Sequence, residues 1–167
     1  MKWISHKLTT FAIYYTISGA PIQSLLASTS SILPDDIGMG PGRVIFRKHR
    51  GTSHNPLFWI LTLPVLFYLL KKMLPEIVLA LPGAYIPEPE AIFIAITVGI
   101  TLHLAADSLS DSGIPLIGKK RIALRLYRTF TPALFHSAGF TLSEFAVVSF
   151  VLISCGICFA LRRFLFS

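Results

Sequence analysis

Three strongly apolar stretches restrict the fold more than any other feature of this chain. They are residues 56–70 (PLFWILTLPVLFYLL), 91–106 (AIFIAITVGITLHLAA) and 145–161 (FAVVSFVLISCGICFAL), and none contains Asp, Glu, Lys or Arg. A helix needs about 20 apolar residues to cross a bilayer. Each stretch is slightly short of that. Flanking residues such as Lys71, Lys72 and Met73, or Arg162 and Arg163, extend them, because long basic side chains snorkel to the interface. The pattern predicts three transmembrane helices. Asn55-Pro56 opens the first well, with Asn as cap and Pro at the first helical position. Pro64 is expected to kink it, which a membrane helix tolerates. Composition agrees: 53% of the residues are hydrophobic and 14% charged. A soluble domain carries about a quarter charged residues, so a soluble globular enzyme is excluded, as is disorder. The expected architecture is an all-α integral membrane bundle, one domain over residues 1–167.

Residues 8–33 are uncharged but rich in Thr, Ser and Tyr, and Ser18-Gly19-Ala20-Pro21 interrupts them. Two arrangements fit: one polar transmembrane helix, or two short helices folded back at that turn. A helix of about a dozen residues rises only about 18 Å, so the second is a hairpin dipping into the membrane from one side. No small-x-small cleavage site makes the stretch a good signal peptide.

The distribution of positive charge separates the two. Net charge is +7, and the basic residues cluster between the apolar runs. The hairpin puts Lys2, Lys7, Arg43, Arg47, Lys48, Arg50, Lys119, Lys120, Arg121, Arg125 and Arg128 on one face. It leaves Lys71, Lys72, Arg162 and Arg163, with Glu76, Glu88 and Glu90, on the other. A single crossing exports both basic loops. The positive-inside rule therefore favours the hairpin, with the basic face cytoplasmic; Arg162-Arg163 is the pair that runs against it. Cys155 and Cys158 form a lone C-x-x-C inside an apolar run, which suits small core or lipid-facing residues better than a redox pair.

With the hairpin in place, polar residues gather at one side. His6 begins the first short helix. Asp35 and Asp36 follow the second, in LPDDIG. His49-Arg50-Gly51-Thr52-Ser53-His54 precedes the first spanning helix, and His103 and Asp107 lie near the end of the second. Each has an ordinary alternative. His6 could be a surface residue, Asp35-Asp36 a turn after proline, and His49 interfacial filler. Asp107 could pair with Arg50 or Lys119. His136 fits no pattern and is read as structural; Tyr14, Tyr15, Trp59 and Tyr68 fit packing or an aromatic belt. His103 and Asp107 stand apart because ionisable groups in a membrane helix are costly and mark function by default. Their H-x-x-x-D spacing puts imidazole and carboxylate one turn apart on one face, a pair suited to zinc, manganese or iron.

The order of these motifs (an N-terminal His, LPDD, HRGTSH, then HLAADSLSDSGIPL) resembles a family of membrane-bound metal-dependent hydrolases, also described as LexA-binding, inner-membrane-associated hydrolases. The resemblance runs from His6 to about Arg125. Family members read H-R-G-x-T-H where this chain has Thr52-Ser53 before His54. They read P-D-x-D where it has Pro34-Asp35-Asp36-Ile37, so Asp35 carries over better than Asp36. The order is also distantly similar to zinc-dependent phospholipase C. The resemblance implies His6, Asp35, His49, His103 and Asp107 as metal ligands, with His54 as a further ligand or a supporting residue.

The function expected is hydrolysis of an ester, with a lipid phosphoester as the favoured class, at the cytoplasmic face of a bacterial or archaeal inner membrane. One or more divalent ions, zinc first, acidify water there. Asp35 or Asp107 takes the proton or bridges ions, and Arg50, with Lys119 or Lys120, stabilises phosphoryl charge. Membrane lipid is the expected partner, and no nucleic-acid fold motif is present. The alternatives are a non-catalytic membrane protein with a structural or transport metal site, and a regulatory or scaffold protein using its basic loops to bind anionic lipid or nucleic acid. Transport is the weaker, because residues 56–70 and 145–161 offer no chain of ionisable groups across the membrane.

Overall fold

A computed structural model describes residues 3–39, 51–80, 85–110, 113–116, 120–124 and 142–166. The helices are α1 (Trp3–Ser18), α2 (Pro21–Ser30), α3 (Leu33–Met39), α4 (Pro56–Ala80), α5 (Pro89–Ser108) and α6 (Leu142–Phe166). A 3-10 turn (Thr52–His54) precedes α4, and two-residue strands β1 (Ile114–Pro115) and β2 (Arg121–Ile122) follow α5. The strands are antiparallel, with Ile114 opposite Ile122. The protein is an all-α membrane bundle. The segments Pro56–Ala80, Pro89–Ser108 and Glu144–Leu165 are long and apolar enough to cross a bilayer. At 1.5 Å per residue even the shortest, α5, rises about 30 Å, the thickness of the hydrocarbon core.

The expected start of α4 is present in detail. Asn55 Oδ1 accepts the Leu57 N–H at 2.9 Å, and Asn55 Nδ2 donates to the Leu116 carbonyl at 2.7 Å. One side chain thus caps α4 and ties it to the strand pair. The helix continues through Pro64 and Pro75 as one element. Its flank is apolar and outward, with Leu61 74% exposed, and α6 presents Phe150 at 72%. Both are apolar surfaces of the kind a membrane-spanning helix presents to lipid. Cys155 and Cys158 are free thiols on α6, with Cys158 exposed, in keeping with a lipid-facing position.

The central helix is α5, which buries Ala95, Gly99, Ile100, His103, Leu104 and Asp107. It packs against α1, α2 and α4. Trp59, Ile100, Leu104 and Ile114 form an apolar core at the end that carries His103, with Leu33, Ile37 and Phe58 packed on it. Trp59 therefore serves packing rather than an aromatic belt, whereas Tyr68 is 66% exposed.

The N-terminal segment doubles back. Gly19 adopts φ +68°, and its N–H bonds to the Tyr15 carbonyl at 2.8 Å, which ends α1 in the left-handed conformation glycine tolerates best. Pro21 then starts α2, where its missing N–H costs nothing. α1 has 16 residues and rises about 24 Å, so the hairpin reaches deeper than the dozen residues expected from the sequence. Its polar residues close on themselves. Ser24 Oγ donates to the Ala20 carbonyl at 2.6 Å and Ser30 Oγ to the Leu26 carbonyl at 2.8 Å. Ser28 Oγ crosses the hairpin to the Lys7 carbonyl at 2.9 Å. No hydroxyl of these three is stranded in the apolar medium, and their small size lets helices approach closely. Gly99 shows how closely: a Cβ there would collide with the Ala27 carbonyl oxygen and Ser30 Oγ of α2.

Two details add to the sequence reading. LPDD does not form a turn; it opens α3, with Asp35 and Asp36 in its first turn. Pro34 is well placed at a helix start, and carboxylates there complement the positive end of the helix dipole. Arg162, the residue that ran against the charge rule, is bonded: its Nη1 donates to the carbonyls of Thr16 and Ile17, at 3.2 and 3.1 Å, where α1 ends. Exposed carbonyls at a helix terminus retain a cation there irrespective of the loop-charge rule.

Candidate metal centre

Five side chains from four elements meet at the end of the bundle. His6 comes from the first turns of α1 and Asp35 from α3. His54 ends the 3-10 turn before α4. His103 and Asp107 come from the last turns of α5. Their burial is nearly complete: His54 and His103 are 0% exposed, His6 and Asp107 1%, and Asp35 4%. The hairpin makes this possible, because it returns the chain from His6 to Asp35 on the same side.

His54 Nε2 is the hub. It lies 3.1 Å from Asp35 Oδ1, 3.4 Å from Asp107 Oδ2 and 3.3 Å from His103 Nε2. His103 Nε2 lies 3.7 Å from Asp107 Oδ2 and 3.9 Å from Asp35 Oδ1. His6 Nε2 lies 3.7 Å from Asp107 Oδ1, and its ring stacks on His103 with centroids 4.0 Å apart. Two sets satisfy the spacing of a shared cation, His6 with Asp35 and His103, and His54 with His103 and Asp107; within each the donor atoms lie within 4.8 Å of one another.

Local structure aims His54 inward. The turn is closed by His54 N–H to the Gly51 carbonyl at 3.2 Å and Asn55 N–H to the Thr52 carbonyl at 3.0 Å. Trp59 Nε1 donates to the Ser53 carbonyl at 2.7 Å, which fastens the turn to α4. Ser53 Oγ sits 3.3 Å from His54 Nδ1, so the ring is held by one nitrogen while the other faces the cluster. The hydroxyl that matters in HRGTSH is thus that of Ser53.

The donor set fits a divalent cation on the observed spacing. A single nitrogen with two carboxylates and a second imidazole nitrogen within 3.4 Å cannot satisfy them all with one proton. Zinc at 2.0–2.2 Å from tetrahedral donors sets those donors about 3.4 Å apart, inside the observed range. Two buried carboxylates also carry the charge that one divalent ion neutralises, and without compensation their burial is expensive.

Of the residues anticipated from the sequence, His6, Asp35, His54, His103 and Asp107 come together, and Asp36 points outward, exposed. His54, expected as a further ligand or a supporting residue, stands at the centre of the set, carried there by the 3-10 turn. His49, Arg50, Lys119 and His136 lie outside the described residues. Lys120 is described and exposed. Sequence reasoning missed Glu144, 4% exposed, which accepts a hydrogen bond from Ser5 Oγ at 2.5 Å beside His6. The signal was its position at the entry to the third apolar run, where a carboxylate is unusual.

Fold and cluster together define an integral membrane helical bundle that buries a His/Asp constellation at one end. Comparison with family models makes this more specific. The chain belongs to the YdjM inner membrane protein family, whose model matches residues 1–165. No match is found among curated proteins or among solved structures.

Proposed function

We propose that this protein is a metal-dependent hydrolase of the inner membrane that acts on an ester at headgroup level, with a lipid phosphoester as the substrate class. The observation that carries this is the convergence of three buried imidazoles and two buried carboxylates, with His54 Nε2 within 3.4 Å of three other donor atoms. The resemblance of HRGTSH and HLAAD to membrane-bound metal-dependent hydrolases, and more distantly to zinc-dependent phospholipase C, supports the same reading. His6, Asp35, His54, His103 and Asp107 hold the ion, and zinc suits this N/O donor set best.

A bound divalent cation supplies Lewis acidity, which lowers the pKa of water and polarises an ester oxygen. The chain supplies the rest. Asp35 or Asp107 takes the proton from attacking water. Ser53 and the α4 cap hold His54 in register. Arg50, with Lys120, answers charge developing on the phosphoryl oxygens. The cluster is assigned to the cytoplasmic side, a reading supported by the Lys and Arg residues that the hairpin topology puts on that face in the sequence.

The test uses the full chain in nanodiscs of anionic phospholipid. Zinc-loaded protein is expected to release product from a phospholipid with a chromogenic headgroup ester. Chelation is expected to abolish turnover, and zinc to restore it. Chelator-insensitive turnover, or none with a full complement of zinc, overturns the proposal. Orientation is checked separately in a chain lacking Cys155 and Cys158. A thiol at Lys120 is expected to be labelled only from the cytoplasmic side, and one at Tyr85 only from the outside.

A further inference from the structure

Among the described residues, α6 gives nothing to the cluster, yet it touches α1 at both ends through charged groups. At one end Glu144, in the first turn of α6, accepts a hydrogen bond from Ser5 Oγ at 2.5 Å; Ser5 is fully buried and adjoins His6. At the other end Arg162 Nη1 donates to the carbonyls of Thr16 and Ile17 at 3.2 and 3.1 Å. Between them Tyr15 stacks on Phe159, with centroids 5.6 Å apart. We infer that α6 is a two-point electrostatic clamp on α1, and that Glu144 and Arg162 are positioning residues that set His6 against His103 and Asp107.

The sign of each charge is the one α1 requires. The N-terminal end of a helix presents unsatisfied N–H groups and positive potential; the C-terminal end presents unsatisfied carbonyls and negative potential. A carboxylate stands at the first and a guanidinium at the second. In an apolar medium such groups have little water to turn to, so partners count for more than on a soluble surface. From Ser5 to Ile17 α1 rises about 18 Å, and from Glu144 to Arg162 α6 rises about 27 Å. Helical side chains lean towards the N-terminus of their own helix. The Arg162 stem therefore reaches back along α6 to the end of α1, which takes up part of that difference.

α1 carries one member of the cluster, His6, whose Nε2 lies 3.7 Å from Asp107 Oδ1. A small axial slip of α1 would separate His6 from His103. The clamp stands on α6–α1 geometry alone; its consequence for metal binding rests on the function proposed above.

The experiment measures zinc affinity and α1–α6 cross-linking in the full chain in nanodiscs. Glu144→Ala and Arg162→Ala are each expected to weaken zinc binding about 10-fold, the scale of losing a residue that orients a ligand. In a His6→Ala background the same changes are expected to cause no further loss, because their effect passes through His6. Glu144→Gln, which keeps an acceptor for Ser5, and Arg162→Lys, which keeps a donor and its charge, are expected to recover part of the affinity. They also stand in if either alanine variant fails to fold. Cysteines at Tyr15 and Phe159, with Cys155 and Cys158 changed to Ser, report the helix pair directly through a short thiol cross-linker. Arg162→Ala is expected to lower that yield. Equal losses of affinity in both backgrounds, or an unchanged yield, overturn the clamp. If the wild-type chain binds no zinc, the metal proposal falls and the cross-linking yield alone decides the clamp.

Discussion

His54→Ala is expected to remove bound zinc from the purified protein, measured as metal per chain after dialysis, with an effect at least as large as that of His103→Ala or Asp107→Ala. The reason is geometric. His54 Nε2 is within 3.4 Å of Asp35, Asp107 and His103 together, so it bridges both carboxylates and the second imidazole. Losing a ligand at the centre of a buried set removes a bond and leaves two carboxylates facing each other without the imidazole between them. Like charges so placed in an apolar site repel strongly. Affinity should fall by more than the 10- to 100-fold typical of losing a supporting contact. Ser53→Ala removes only the hydroxyl at His54 Nδ1 and should fall within that smaller range. Unchanged zinc content in His54→Ala would dismantle the centre as described.

Gly99→Leu is expected to be as damaging to the centre, although Gly99 contributes no ligand. A Cβ at this position already meets the Ala27 carbonyl oxygen and Ser30 Oγ. The first obstacle is backbone and cannot rotate away, so α2 and α5 must separate. Overpacking of this kind costs about 1–3 kcal/mol for the first methylenes, and leucine adds three carbons beyond Cβ. Separation moves the α2–α3 end away from α5, so Asp35 withdraws from His54 and His103. Zinc content should fall together with thermal stability. Gly99→Ala should show the same direction at smaller size. A Gly99→Leu protein with normal zinc content and stability would contradict the close approach of α2 to α5.

Different parts of the fold were legible in the sequence for different reasons. The spanning helices were plain because about 20 apolar residues in a row have one stable placement. The hairpin was legible through two local signals, Gly19 and Pro21, joined to a global one, the basic loops that had to remain on one side. His103 and Asp107 were legible because a one-turn spacing on a membrane helix is a local property. The helical start at Leu33–Met39 was hidden, since proline followed by two carboxylates marks a turn and a helix N-terminus equally well. The rank of His54 above its neighbours was hidden too. It depends on a 3-10 turn whose direction is set by one contact from the next helix, Trp59 to the Ser53 carbonyl, and one with a residue far along the chain, Asn55 to the Leu116 carbonyl.

Periodicity, charge and length in the amino-acid order were enough to make this a membrane bundle with a re-entrant N-terminus and to nominate its imidazoles and carboxylates. Those are properties of segments, and a segment answers to water and lipid without reference to its neighbours. Which five side chains meet, that Asp36 is turned away, and that Glu144 and Arg162 grip the ends of α1 were decided by tertiary structure. Such contacts join residues as far apart as Ser5 and Glu144, and their distances exist only once the small faces of α2 and α5 have closed on each other.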